Sequence, residues 1–262
     1  DSAIDRVAMN SAPAIAVDGN SVYVAVSSAA GQGYLVRMDA ATLSTLSRVA
    51  LVEPGTGTPA RITGDSTSSP AVGPDGDVFF GVLETLRGTH NNRGWLLHFN
   101  AALDQRKVPG SFGWDNTPSI VPATAVPSYT GTSTYLLAMK YNNYAGSGTG
   151  DGQNRMAIVD PSVSQADRVT PAVQVMAEVL TILGPTPDAD HPGGVREWCV
   201  NTGAVDPATR SMLINNEDGK LYRWNLATNQ LSESIVFNNG LGQSYTPTAI
   251  GADGTVYAIN NA

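Results

Sequence analysis

Two carboxylates in this sequence sit beside tryptophans: Asp115 follows Trp114, and Glu197 precedes Trp198. An apolar wall raises a carboxyl pKa, which is what a general acid needs near neutral pH. Two such groups facing each other across a pocket would suit glycoside hydrolysis, their separation setting the stereochemical outcome. The plainer reading is structural: Asp115 accepts backbone amides, and Glu197 pairs with Arg196 or another arginine. Around these positions stand Asn116, Lys140, Asn142, Glu217 and Tyr245. Amides, an ammonium, a phenol and two indoles suit a polyhydroxylated ligand, because rings stack on sugar faces and amides pair with hydroxyls.

Other reactive side chains carry less. In Glu217-Asp218-Gly219 the Asp-Gly pair marks a tight turn, which makes Asp218 structural and leaves Glu217 open to a ligand. Asp188-Ala189-Asp190-His191 gathers oxygen and imidazole donors, yet one cluster without a second donor set reads as a solvated loop, so no metal is expected. His90 falls in a long loop, where acid–base work is open to it, and His98 falls mid-strand, packed between sheets. Cys199 is the sole cysteine, which excludes an internal disulfide framework and a cysteine zinc cluster. It reads as a small buried apolar residue. No nucleophile-elbow motif is present. The glycine-rich run 146–152 lacks the Lys-Ser/Thr of a phosphate loop, so no nucleotide or other cofactor is expected.

Composition excludes further classes. The 262 residues carry 15 basic and 23 acidic side chains, a net charge of −8. An anionic chain with scattered arginines has no stripe with which to displace counterions from nucleic acid. No apolar run approaches the roughly 18 residues needed to span a bilayer. Only 15% of residues are charged, far from a helical bundle or coiled coil. Few lysines, many Asn, Ser, Thr and Gly, and a start at Asp1 fit a mature exported protein, secreted or periplasmic.

The elements that must position these residues come from a repeat. A small polar residue, Pro, an apolar run, an Asp-Gly turn and a β-rich run recur at Ser11-Ala12-Pro13, Ser69-Pro70 and Thr246-Pro247, with weaker copies at Thr117-Pro118 and Thr202-Gly203. A third strand follows the first four copies, ending in Asp or Asn (Asp39, Asn100, Asp160, Asn225), and a looser fourth comes next. Helical periodicity is absent, and 171–183 is rich in Val and reads as a strand. Four strands in five units predict an all-β, five-bladed β-propeller of antiparallel blades, a single domain over residues 1–262. A β-sandwich is the alternative. The last blade is incomplete, or it is closed by an N-terminal strand over residues 4–8.

In this reading the loops joining strands two and three, and those joining blades, share one face. They include the long stretches 83–93, 141–153, 53–68, 109–116 and 184–198, whereas the opposite face has tight turns. Extra loop length on one face marks binding. Residues just before the inner strands would ring a central pocket there: Trp114, Asp115, Asn116, Glu197, Trp198 and Tyr245, with Lys140, Asn142 and Glu217 at second-strand ends.

Asp218-Gly219-Lys220-Leu221-Tyr222-Arg223-Trp224-Asn225 resembles the repeat of quinoprotein-like (PQQ-repeat-like) propellers. So do Gly33-Tyr34-Leu35-Val36-Arg37-Met38-Asp39 and Asp253-Gly254-Thr255-Val256-Tyr257. That superfamily includes quinone-dependent alcohol dehydrogenases, assembly scaffolds and proteins of unknown role. The dehydrogenases use a vicinal disulfide, which one cysteine cannot form, so the resemblance implies the fold without the quinone. The expected function is binding of a small polar ligand, a glycan among the candidates. A glycan-active hydrolase or lyase using Asp115 and Glu197 is one alternative, and a non-catalytic interaction scaffold is the other.

Overall fold

The computed structural model describes residues 4, 6–8, 10–28, 31–62, 68–238, 242 and 247–259. The described strands form five antiparallel sheets. The first holds β1 (Arg6–Val7), β2 (Ala14–Ile15), β3 (Ser21–Ser27), β4 (Gly33–Asp39) and β5 (Thr45–Ala50). The second holds β6 (Ala71–Val72), β7 (Val78–Val82) and β8 (Trp95–Phe99). The third holds β9 (Ser119–Pro122), β10 (Tyr135–Tyr141), β11 (Arg155–Ala166) and β12 (Gln174–Leu183). The fourth holds β13 (Ala204–Asp206), β14 (Ser211–Asn216), β15 (Lys220–Asn225) and β16 (Gln230–Val236). The fifth has β17 (Ala249–Ile250) and β18 (Val256–Tyr257).

Local chemistry explains the repetition. Asp18, Asp75 and Asp253 each accept the amide two residues on, at 2.9–3.0 Å, and the intervening glycines take φ of +73° to +89°. Asp supplies the side-chain acceptor and Gly the left-handed backbone, so the pair turns the chain between the first two strands of a blade. The third strands repeat in detail. Arg37 donates to Ser21 and Arg223 to Ser211, each reaching back to the start of the preceding strand. Asp39 and Asn225 then cap equivalent turns by accepting the amides of residues 41 and 42, or 227 and 228. Both sheets shift register at the same place, Arg37/Met38 and Arg223/Trp224.

The N-terminal strand departs from expectation. Arg6 pairs with Ser27 and Val7 with Val26, so β1 joins the first sheet on the same side of β3 as β2. It does not close the last blade. The fifth sheet has two strands among the described residues.

The chain divides into two compact units, Asp1–Thr117 with Ser164–Val175, and Pro118–Val163 with Met176–Ala262. The first packs Tyr23, Leu35, Phe80, Trp95 and Phe99 into its core. The second packs Leu136, Ile158, Trp198, Met212 and Trp224. The segment Ser164–Val175 is the tip of the β11–β12 hairpin, and Asp167 anchors it within the first unit. No described helix is long and apolar enough to cross a membrane.

Candidate functional site

The clearest constellation lies in the second unit, on the segment 195–198 just before β13. Every residue of that segment is held by its backbone. Asn154 donates its amide to the Val195 carbonyl at 2.8 Å. Asn216 donates to the Arg196 carbonyl at 3.5 Å, and the Glu217 amide donates to the Glu197 carbonyl at 2.9 Å. Asn142 clamps Trp198 from both sides, donating to its carbonyl at 3.1 Å and accepting its amide at 3.2 Å. The Val195 and Arg196 amides donate to the carbonyls of Gly152 and Thr186. A side-chain amide carries one donor group and one acceptor, so buried asparagines act here as pieces of backbone for a segment that no strand pairs.

What this frame presents is Glu197. Its carboxyl is partly buried and makes no hydrogen bond among the described residues. Burial pushes its pKa up to about 7, the neighbouring Glu217 charge adds to the rise, and the Lys140 ammonium opposes it. Lys140, on β10, is itself buried. Asp188 adds to the rise and His191 opposes it, so at neutral pH the Glu197 carboxyl is poised between its acid and its carboxylate.

Trp198 has a different place from that expected of a stacking platform. It is fully buried in the core of its unit, with its ring edge-on to Tyr222 at 5.9 Å. Asn142 is fully buried as well, and its amide serves Trp198. Asp218 is structural: it accepts the Lys220 amide, the Tyr222 hydroxyl and the Thr186 hydroxyl. Tyr245 lies outside the described residues. Asp188 binds His191 at 2.8 Å and Arg196 at 3.1 Å, and Arg196 also reaches Asp190. No group of three or more metal-ligating side chains is gathered among the described residues.

Trp114, Asp115 and Asn116 belong to the first unit. Trp114 lies beneath the Arg87 guanidinium, 6.0 Å from its ring centroid. Asp115 adopts φ +47°, a left-handed turn conformation that Asp tolerates. Asn116 is buried, and its backbone amide donates to Ser68 Oγ at 3.1 Å. Gly81 on β7 allows this turn to pack closely, since a Cβ there would lie 2.1 Å from the Gly113 carbonyl oxygen and 2.6 Å from that of Asn116.

The histidines are structural in this arrangement. His90 is buried and stacks on Trp95 with ring centroids 3.7 Å apart, between the Gly94 carbonyl and Asp167. His98 is buried against Phe79 and bound to Asp77. Cys199 is buried and forms no disulfide. The asparagine clamp went unread in the sequence, where Asn142 and its neighbours look like ligand-facing amides. The one available signal was the pairing of Asn residues at strand ends, Asn142-Asn143 and Asn215-Asn216.

The sequence matches no described protein family and no curated protein. Solved structures do resemble it. The β-propeller domain of Cps50 (Swd1) from Myceliophthora thermophila superimposes with a TM-score of 0.55 at 11% identity, over 97% of this chain and 64% of that one. The C-terminal WD40 domain of Sif2 gives 0.50 at 11% identity, over 95% and 51%. BamB from Moraxella catarrhalis gives 0.48 at 15% identity, over 97% and 58%. At such identities the likeness shows the fold alone: the chain is an all-β protein with a β-propeller fold. It spans between 51% and 64% of the length of these solved chains.

Proposed function

We propose that this propeller is a binding module that captures a small polar ligand, of the glycan class, at Glu197, Glu217 and Lys140. The observation that carries this reading is the Glu197 side chain: partly buried, unbonded among the described residues, and set on a segment pinned at every residue. A carboxyl near its midpoint both donates and accepts, which matches a sugar hydroxyl that does the same. Glu217 adds an acceptor and Lys140 a donor. The rigid segment lowers the ordering cost of binding. Export to the cell exterior or periplasm accords with a ligand of this class.

Calorimetric titration and thermal shift against a panel of mono- and oligosaccharides test the proposal. A ligand at a hundred times its dissociation constant stabilises the fold by about 2.7 kcal/mol. Glu197→Ala should weaken that binding at least tenfold, and Glu197→Gln, which keeps a donor and an acceptor, by less than threefold. A panel that leaves the midpoint unmoved refutes the reading.

The raised Glu197 pKa favours one second reading, a glycan-active hydrolase or lyase with Glu197 as general acid. Release of reducing ends by the wild type, abolished in Glu197→Gln with binding retained, would establish it. A module without turnover or ligand, holding another protein, is the scaffold reading that the propeller fold also serves.

A further inference from the structure

The first unit contains a cleft of about 360 Å³ between the loop 52–57 and the outer edge of the second sheet. That volume falls in the range of small-molecule sites. Val52, Pro54, Leu97, Phe99 and Pro109 supply apolar walls. Val52 and Pro54 are half-buried, so they keep surface for a ligand, whereas Phe99 is buried behind them in the core.

The polar groups on this cleft are not equivalent. Lys107 is neutralised: its ammonium sits 2.6 and 2.8 Å from the two oxygens of Asp77, which also takes His98 Nε2 at 2.9 Å. Glu53 is buried and commits a carboxylate oxygen to the Thr85 amide. Arg106 is exposed and makes a single hydrogen bond, from Nη2 to the Ala50 carbonyl at 3.0 Å, and no ion pair among the described residues. A guanidinium carries five donors in a planar fork matched to a carboxylate. The cleft thus joins apolar walls to one cation with spare donors.

We propose that this cleft is a second binding site, separate from the Glu197 cluster, for a small molecule with a carboxylate on an apolar body, the carboxylate held by Arg106 and the body against Val52 and Pro54. Its chemistry differs from that of the Glu197 cluster, and neither site depends on the other.

Benzoate and its uncharged analogue benzamide are the probes, followed by amide chemical-shift titration of the whole chain. A fragment of this size binds at about millimolar concentration. Benzoate should shift the amides of residues 52–57 and 107 and bind at least fivefold more tightly than benzamide. Arg106→Gln should weaken benzoate about fivefold, the scale of one partly exposed charge contact, and leave benzamide unchanged. Arg106→Lys should recover most of the loss. Shifts confined to other residues, equal binding of the two probes, or equal benzoate binding by Arg106→Gln would each overturn the proposal.

Discussion

Asp167 offers the sharpest test of how the β11–β12 hairpin is held. It is 2% exposed. One carboxylate oxygen accepts the Ser111 hydroxyl. The other accepts His90 Nε2 at 3.1 Å and the amides of Val169 and Thr170 at 2.9 and 2.6 Å. Burial alone would raise its pKa, but the His90 and Ser111 contacts and the Thr170 amide outweigh burial and hold it well below the usual carboxylate range. Asp167→Ala strips four donors of their acceptor, at about 1–3 kcal/mol for each buried group left unsatisfied, with partial relief where the tip loosens. The expected loss is about 4 kcal/mol, the scale of breaking a buried charged pair. Asp167→Asn should cost only about 1–2 kcal/mol. Its carbonyl oxygen can replace the atom that accepts three donors. Its NH2 then faces Ser111, whose hydroxyl rotates to accept. Urea unfolding at pH 7 measures both losses. The sign with pH follows from the lowered pKa: the carboxylate's contribution is full above its unfolded value of about 3.9 and is lost as pH falls below it. The gap between wild type and Asp167→Asn should therefore narrow in acid. An alanine variant within 1 kcal/mol of wild type, or alanine and asparagine variants of equal cost, would refute the reasoning.

Glu197 should give the opposite slope. Its raised pKa means that the folded state favours the proton, so stability falls as pH rises from about 4.5 to 7; denaturant titrations of Glu197→Gln should lack that fall, worth about 1–2 kcal/mol after allowance for partial exposure. Asn142→Ala should destabilise the second unit by about 2–3 kcal/mol, since it orphans the Trp198 amide and carbonyl. Hydrogen exchange at the Trp198 amide should accelerate along with it.

Much of the fold was legible because its signals are local. The Asp-Gly turns at 18–19, 75–76 and 253–254 require only an acceptor and a left-handed residue, and the structure uses both. The Arg at 37 and 223 and the Asp or Asn at 39 and 225 are visible as a repeat, and they make the same contacts in two sheets. The fate of the N-terminal strand was not legible. Residues 6 and 7 pair with Val26 and Ser27 through backbone groups alone, and backbone pairing of a two-residue strand leaves no trace in side-chain pattern.

The site divides along the same line. Trp198 beside Glu197 suggested both a platform and an apolar wall; in the fold the ring is core, and the carboxyl beside it still takes a raised pKa. The amides were misread for a physical reason. Asparagine serves a ligand or a strained backbone with the same two groups, and only its partner distinguishes them. Asn142, Asn154 and Asn216 spend theirs on 195–198 because that stretch has backbone groups that no strand satisfies. Polar residues at a strand end therefore signal either a ligand or an irregular segment that needs support. Here they support the segment, and through it they fix the position of Glu197.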